Sequence, residues 1–135
     1  MARKRAHVYM HYWTTAALIM WVVVVFFVHV VPIDPNKART IDIPHFDKFI
    51  HFSLFLVLSL LALRRRVAHP RPMSSSAVGW IILSCCVYGI ALELFQPLAG
   101  THRSSDVVDG IADVLGVLTG VISSRSCRGL LFFGH

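Results

Sequence analysis

A chain of 135 residues, 56% apolar and only 15% charged, is one structural unit and too apolar for a soluble domain whose surface must carry charge. The net charge of +6 does not point to nucleic acid, because the basic residues fall in short clusters between long apolar runs, as in the cytoplasmic loops of membrane proteins. Three cysteines make no disulfide framework: Cys85 and Cys86 sit in an apolar run as unpaired small apolar groups, and Cys127 lies in a basic tail.

Taken in chain order, four segments are long and apolar enough to span a bilayer. Arg3, Lys4 and Arg5 followed by an apolar stretch have the layout of a secretory signal. However, Tyr12 to Val31 is as long as a bilayer core requires and no small-residue cleavage site follows, so an uncleaved first span over about 12–31 is expected. The second span runs over about 46–63 and ends at Arg64, Arg65 and Arg66. The third covers about 77–95 and is closed by Pro97. The fourth, about 106–122, is the least apolar because it contains Asp109 and Asp113. Helices are expected, since an open strand leaves its backbone unsatisfied in lipid and no barrel-type alternation is present. The whole chain, 1–135, thus reads as a single all-α domain, a four-helix transmembrane bundle. Val67 to Ser76 and Pro97 to Ser105 read as tight connections, the second with Ser104 and Ser105 as helix-start residues. The stretch from Pro32 to His45 is the longest connection.

Basic residues set the orientation. With the amino terminus inside, the cytoplasmic segments hold Arg3, Lys4, Arg5, Arg64, Arg65, Arg66, Arg71, Arg125 and Arg128. Only Lys37, Arg39, Lys48 and Arg103 remain on the other side, so both termini are expected inside. Tyr12, Trp13 and Trp80 suit an interfacial belt, and His29 and His45 read as interfacial residues rather than ligands.

The polar residues in and beside the spans then gather at the outer end. The second span opens with Asp47, Lys48 and His51, the third closes with Glu93 and Gln96, and Arg103, Asp106, Asp109 and Asp113 open the fourth. Helical spacing puts Asp47 with His51, Glu93 with Gln96, and the three aspartates of the fourth span on shared faces. The last stripe continues into Gly116 and Gly120, a small-xxx-small pattern that admits close approach of another helix. One ionised carboxylate in the bilayer interior costs roughly 2.5 kcal/mol or more, so such groups pair, bind a cation or take up a proton. Five acids here outnumber the fixed cations Lys48 and Arg103.

The same residues carry a family resemblance. Asp47 and Lys48, then His51, Phe52 and Phe55, resemble the opening motif of the VanZ-like membrane proteins; Glu93, Gln96, Arg103, Asp109 and Gly116 resemble its closing motif, the match covering about 47–120. Two departures are visible: the family usually has Asn where this chain has Asp113, and the connection from Gln96 to Arg103 is one residue longer than common. The resemblance implies a small multi-pass protein of the bacterial cytoplasmic membrane, in a family named for a member linked to glycopeptide (teicoplanin) resistance. It implies no particular reaction.

Three functions fit these features. The first is a non-enzymatic envelope protein whose outer cluster binds a lipid headgroup, glycolipid or envelope precursor, with Arg103 and Lys48 for phosphate and the acids for amines or hydroxyls. The second is an accessory subunit of a larger membrane complex, using the Gly116 and Gly120 face. The third is a membrane-surface metal-assisted hydrolase, for which Asp47, His51, Glu93, Asp109 and Asp113 supply suitable ligand types but no nucleophile or metalloprotease motif exists. No catalytic residue, metal ligand or cofactor is assigned on this basis. The expected partners are membrane lipids and, for the second function, other membrane subunits.

Overall fold

A computed structural model describes residues 2–31, 45–68, 73–98 and 106–126, with side chains described from residue 9 to 125 within those ranges. The described residues form four helices: α1 (Ala2–Val30), α2 (Phe46–Val67), α3 (Ser75–Phe95) and α4 (Val107–Ser126). Each contains a stretch long and apolar enough to cross a membrane, Tyr9–Val30, Phe46–Val67, Ser75–Phe95 and Val107–Arg125. A helix of 20 residues rises about 30 Å, the thickness of the hydrocarbon core. The connections at 32–44, 69–72 and 99–105 lie outside the described residues, and with them Arg71, Arg103, Ser104 and Ser105; so do Cys127 and Arg128.

The helix ends follow local chemistry. α2 continues through Arg64, Arg65 and Arg66 beyond the expected stop, because arginine is a good helix former and its charge suits a C-terminal turn. Ser74 caps α3 by accepting the Ala77 amide at 3.2 Å, and Pro97 follows its last turn. At the start of α4 the Asp106 carboxylate accepts the Val108 amide at 2.9 Å, and its carbonyl receives the Asp109 and Gly110 amides. α4 runs a turn longer than expected at its C-terminal end.

The central element is α2, which touches the other three helices and packs most extensively on α4. Two glycines make that seam close. A Cβ at Gly116 would collide with the Phe52 carbonyl oxygen, and one at Gly120 with the Ser59 hydroxyl and the Leu56 carbonyl. Because these obstacles are largely α2 backbone, the helices approach as closely as small residues permit. α1 packs on α2 and α3 and exposes much of its length. Among the described residues it is tied down by three interhelical hydrogen bonds: the Trp21 indole donates to the Leu54 carbonyl at 3.0 Å, the Tyr88 hydroxyl to the Val22 carbonyl at 2.8 Å, and the Arg65 guanidinium to the Thr15 hydroxyl at 3.2 Å. The core between the helices is built from Val25, Leu54, Phe55, Leu58, Cys85, Leu92 and Val117, with a smaller cluster of Leu63, Val78 and Val121 toward the other end. Cys85 is buried, Cys86 half-buried, and both are free thiols.

Candidate functional site

Antiparallel neighbours bring the end of α1, the start of α2, the end of α3 and the start of α4 to one end of the bundle. The polar residues there form two tiers. At the rim, the Lys48 ammonium of α2 reaches Asp109 at 2.8 Å, Asp106 at 3.0 Å and Asp47 at 3.1 Å. Asp109 belongs to α4 and Asp106 immediately precedes it, so one cation bridges the seam. Asp106 sits just ahead of the α4 span. The Val108 amide, and after it the Lys48 ammonium, hold its carboxyl below the ordinary value of 3.8.

The inner tier is buried. His51 of α2 lies with Nδ1 3.1 Å from Asp113 Oδ1 of α4 and 3.7 Å from Glu93 Oε1 of α3. Its Nε2 is 3.9 Å from Asp109 Oδ2, which links the tiers. Glu93 Oε2 also receives the Asp106 backbone amide at 3.4 Å. Phe55 closes the floor, its side chain fully buried. Gly89 of α3 makes room on that side: a Cβ there would come within 3.1 Å of both Asp113 Oδ2 and the Phe55 ring.

The fourth wall is His29 of α1. It was expected at the membrane interface; instead it is 1% exposed and stacks edge-on against His51, with ring centroids 4.6 Å apart. One nitrogen, Nδ1, lies 2.7 Å from the Val25 carbonyl one turn earlier. A carbonyl only accepts, so that nitrogen carries the proton. Sequence reasoning missed His29 because α1 is apolar all round. The available signal was depth: the end of α1 must lie level with the start of α2.

The other expected residues are distributed as follows. Asp47 is half-exposed at the rim, held only by Lys48 among the contacts described, whereas Gln96 is buried next to the end of α3. Gly116 and Gly120 lie in the α2–α4 seam. Arg103 falls outside the described residues. Among the described residues the site therefore brings five carboxylates together with one fixed cation.

Beside the cluster, α3 and α4 enclose an open groove of about 450 Å³. Ile90, Leu94, Val107, Ile111, Val114 and Leu115 wall it, and Glu93 and Asp106 lie at its polar end. Glu93 thus belongs to both the groove and the buried tier. The groove is apolar along its wall, with two carboxylates beside it.

In comparisons with known proteins, no curated protein and no solved structure gives a significant match. A family model described as VanZ/LLP1 does match, over residues 9–130, a range that takes in all four spans and every residue of the polar site. The chain is a multi-pass membrane protein and belongs to the VanZ/LLP1 family.

Proposed function

We propose that this protein is a non-enzymatic receptor for a lipid or lipid-linked envelope intermediate in the bacterial cytoplasmic membrane. The ligand's apolar chain lies between α3 and α4 and its head meets Glu93 and Asp106. The observation that carries this reading is the groove: apolar along its length and acidic at one end. Apolar grooves on a membrane bundle are filled by lipid chains, and the polar end then selects the headgroup. On the orientation expected from the basic residues, this end opens toward the outer leaflet.

Charge narrows the headgroup. Lys48 already contacts three carboxylates at 2.8–3.1 Å, so it has little left to offer a phosphate. The acids outnumber it, and the site presents acceptors rather than donors. A head bearing an amine or several hydroxyls fits that balance. The accessory-subunit reading has less to support it: the Gly116 and Gly120 face that motivated it is covered by α2 of the same chain.

Native mass spectrometry of the protein extracted in mild detergent tests the reading. Wild-type protein should retain one class of amine- or hydroxyl-bearing lipid. Glu93→Gln and Asp106→Asn should each reduce that retention roughly 10-fold or more, because each removes a charged acceptor from the headgroup's hydrogen bonds. Gly110 also lines the groove, and Gly110→Phe fills it from a position with nothing within 4 Å of its Cβ among the described residues, so it should remove the lipid without unfolding the bundle. An unselective lipid profile, identical in all four proteins, refutes the proposal.

A further inference from the structure

The geometry points to a site for one divalent transition-metal ion, held by His29, His51, Glu93 and Asp113 within the bundle. Each helix contributes one of these four side chains. One ligating atom from each lies within 4.8 Å of the others, and all four residues are buried. Two imidazoles with two carboxylates and no thiolate form a borderline nitrogen-and-oxygen set, which suits zinc, manganese or ferrous iron better than calcium or copper(I). At metal–ligand bonds of about 2.0–2.1 Å, tetrahedral ligands stand roughly 3.4 Å apart, so the four groups close in by small side-chain rotations.

Two further observations favour an ion over a closed network. The first is unmet hydrogen bonding. Glu93 is 6% and Asp113 2% exposed, yet Glu93 Oε1 and Asp113 Oδ2 have no hydrogen-bond partner among the described residues. Burying a carboxylate oxygen without a donor or cation is costly, and a purely structural network would have satisfied both. Gly89 leaves the space in which Asp113 Oδ2 sits. The second is the arrangement of the histidines. His29 donates its Nδ1 proton to the Val25 carbonyl at 2.7 Å, which orients the ring and leaves Nε2 as the lone-pair nitrogen of the neutral imidazole. A backbone carbonyl on the far nitrogen is the usual support of a metal-binding histidine. His51 Nδ1 faces oxygens of both Asp113 and Glu93, at 3.1 and 3.7 Å. A lone pair there would be repelled by both, so a positive centre must stand between them. A proton serves one oxygen, whereas a metal ion serves all the groups together and offsets two buried negative charges.

The site adjoins the lipid groove through Glu93 but does not depend on lipid binding. The test uses full-length protein purified without a histidine tag, stripped with chelator and titrated with Zn²⁺, Mn²⁺ or Co²⁺. Wild type should take up one equivalent, show the visible d–d absorption of Co²⁺ bound by nitrogen and oxygen, and melt at a higher temperature with metal than with chelator. Affinity should fall at least about 10-fold in His29→Gln and in Asp113→Asn, while His45→Gln, an exposed histidine, keeps it. Wild type that neither binds nor is stabilised by any of the three ions overturns the proposal, whatever the variants do. So does equal uptake by all variants, which would mark adventitious binding to surface histidines. Lipid content measured on wild type separates the two proposals: wild type that retains a selected lipid but binds no metal removes this one alone, and wild type that binds metal but retains no selected lipid removes only the lipid reading.

Discussion

Gly116→Ala adds one methyl group to the tightest point of the bundle, and its cost can be worked from what that methyl meets. The nearest atoms are the Phe52 carbonyl oxygen and carbon and the Leu56 nitrogen, the last two at 3.1 and 3.0 Å. All belong to the α2 backbone, so no side-chain rotation relieves the overlap. The two helices must part by on the order of 1 Å to restore ordinary contact, and a gap of that size forfeits a quarter to a half of each dispersion well along the seam. The cost should reach about 3 kcal/mol, the upper end of the range for overpacking. Gly110 provides the control. It lies in the same helix with nothing within 4 Å of its Cβ among the described residues, so Gly110→Ala should stabilise by about 0.5–1 kcal/mol through helix propensity alone. Reversible unfolding in mixed detergent–lipid micelles, followed by circular dichroism, reads both. A difference of about 3–4 kcal/mol between two identical substitutions in one helix is the expected result. Agreement of the two within about 0.5 kcal/mol would refute the account of the seam. Gly120→Ala is expected to be costly too. Ser59→Ala should relieve it only in part, because the Leu56 carbonyl remains 2.9 Å from the new methyl.

Other expectations concern the polar contacts. Removing the Lys48 ammonium (Lys48→Met) leaves three carboxylates facing one another and should destabilise by about 1–2 kcal/mol, less than a fully buried pair because Asp47 and Asp106 are 47% and 41% exposed. Adding Asp106→Asn or Asp109→Asn should recover part of that loss, and thermal melts showing no recovery would count against a shared cation. The Asp106 carboxyl is held below 3.8 in the folded chain, so its stabilising effect is fully present above that pH and lost as pH falls through the depressed value. The gap in melting temperature between wild type and Asp106→Asn should therefore be constant from pH 7 to about 4 and close only at lower pH; closure by pH 5 would contradict the assignment. Trp21→Phe and Tyr88→Phe each remove one hydrogen bond between α1 and its neighbours. Each should lower stability by about 0.6–1.7 kcal/mol in the same unfolding assay, and a null effect for both would mean that these two bonds do not hold α1 in place.

The four spans were legible in the sequence because length and apolarity are properties of a segment, read without knowing what packs on it. Depth was legible too. Helices joined by short connections alternate in direction, so counting residues from each end levels Asp47, Lys48 and His51 with Glu93, Gln96 and Asp106, Asp109 and Asp113. Periodicity likewise gave the stripe from Asp106 to Gly120, because polar and small residues stand out against apolar neighbours. What periodicity leaves open is rotation: it fixes which residues share a face, not where that face points. Tertiary packing made that choice. It turned Lys48 toward α4 rather than leaving it with Asp47 alone, and seated His51 between Asp113 and Glu93. On α1, where every face is apolar, only contact with α2 and α3 could select Val25 and His29 for the interior while Phe26, Phe27 and Val28 face outward. Four side chains from four helices converge on one point for the same reason. Their meeting is a property of how the helices are rotated against one another, and local sequence carries no record of it.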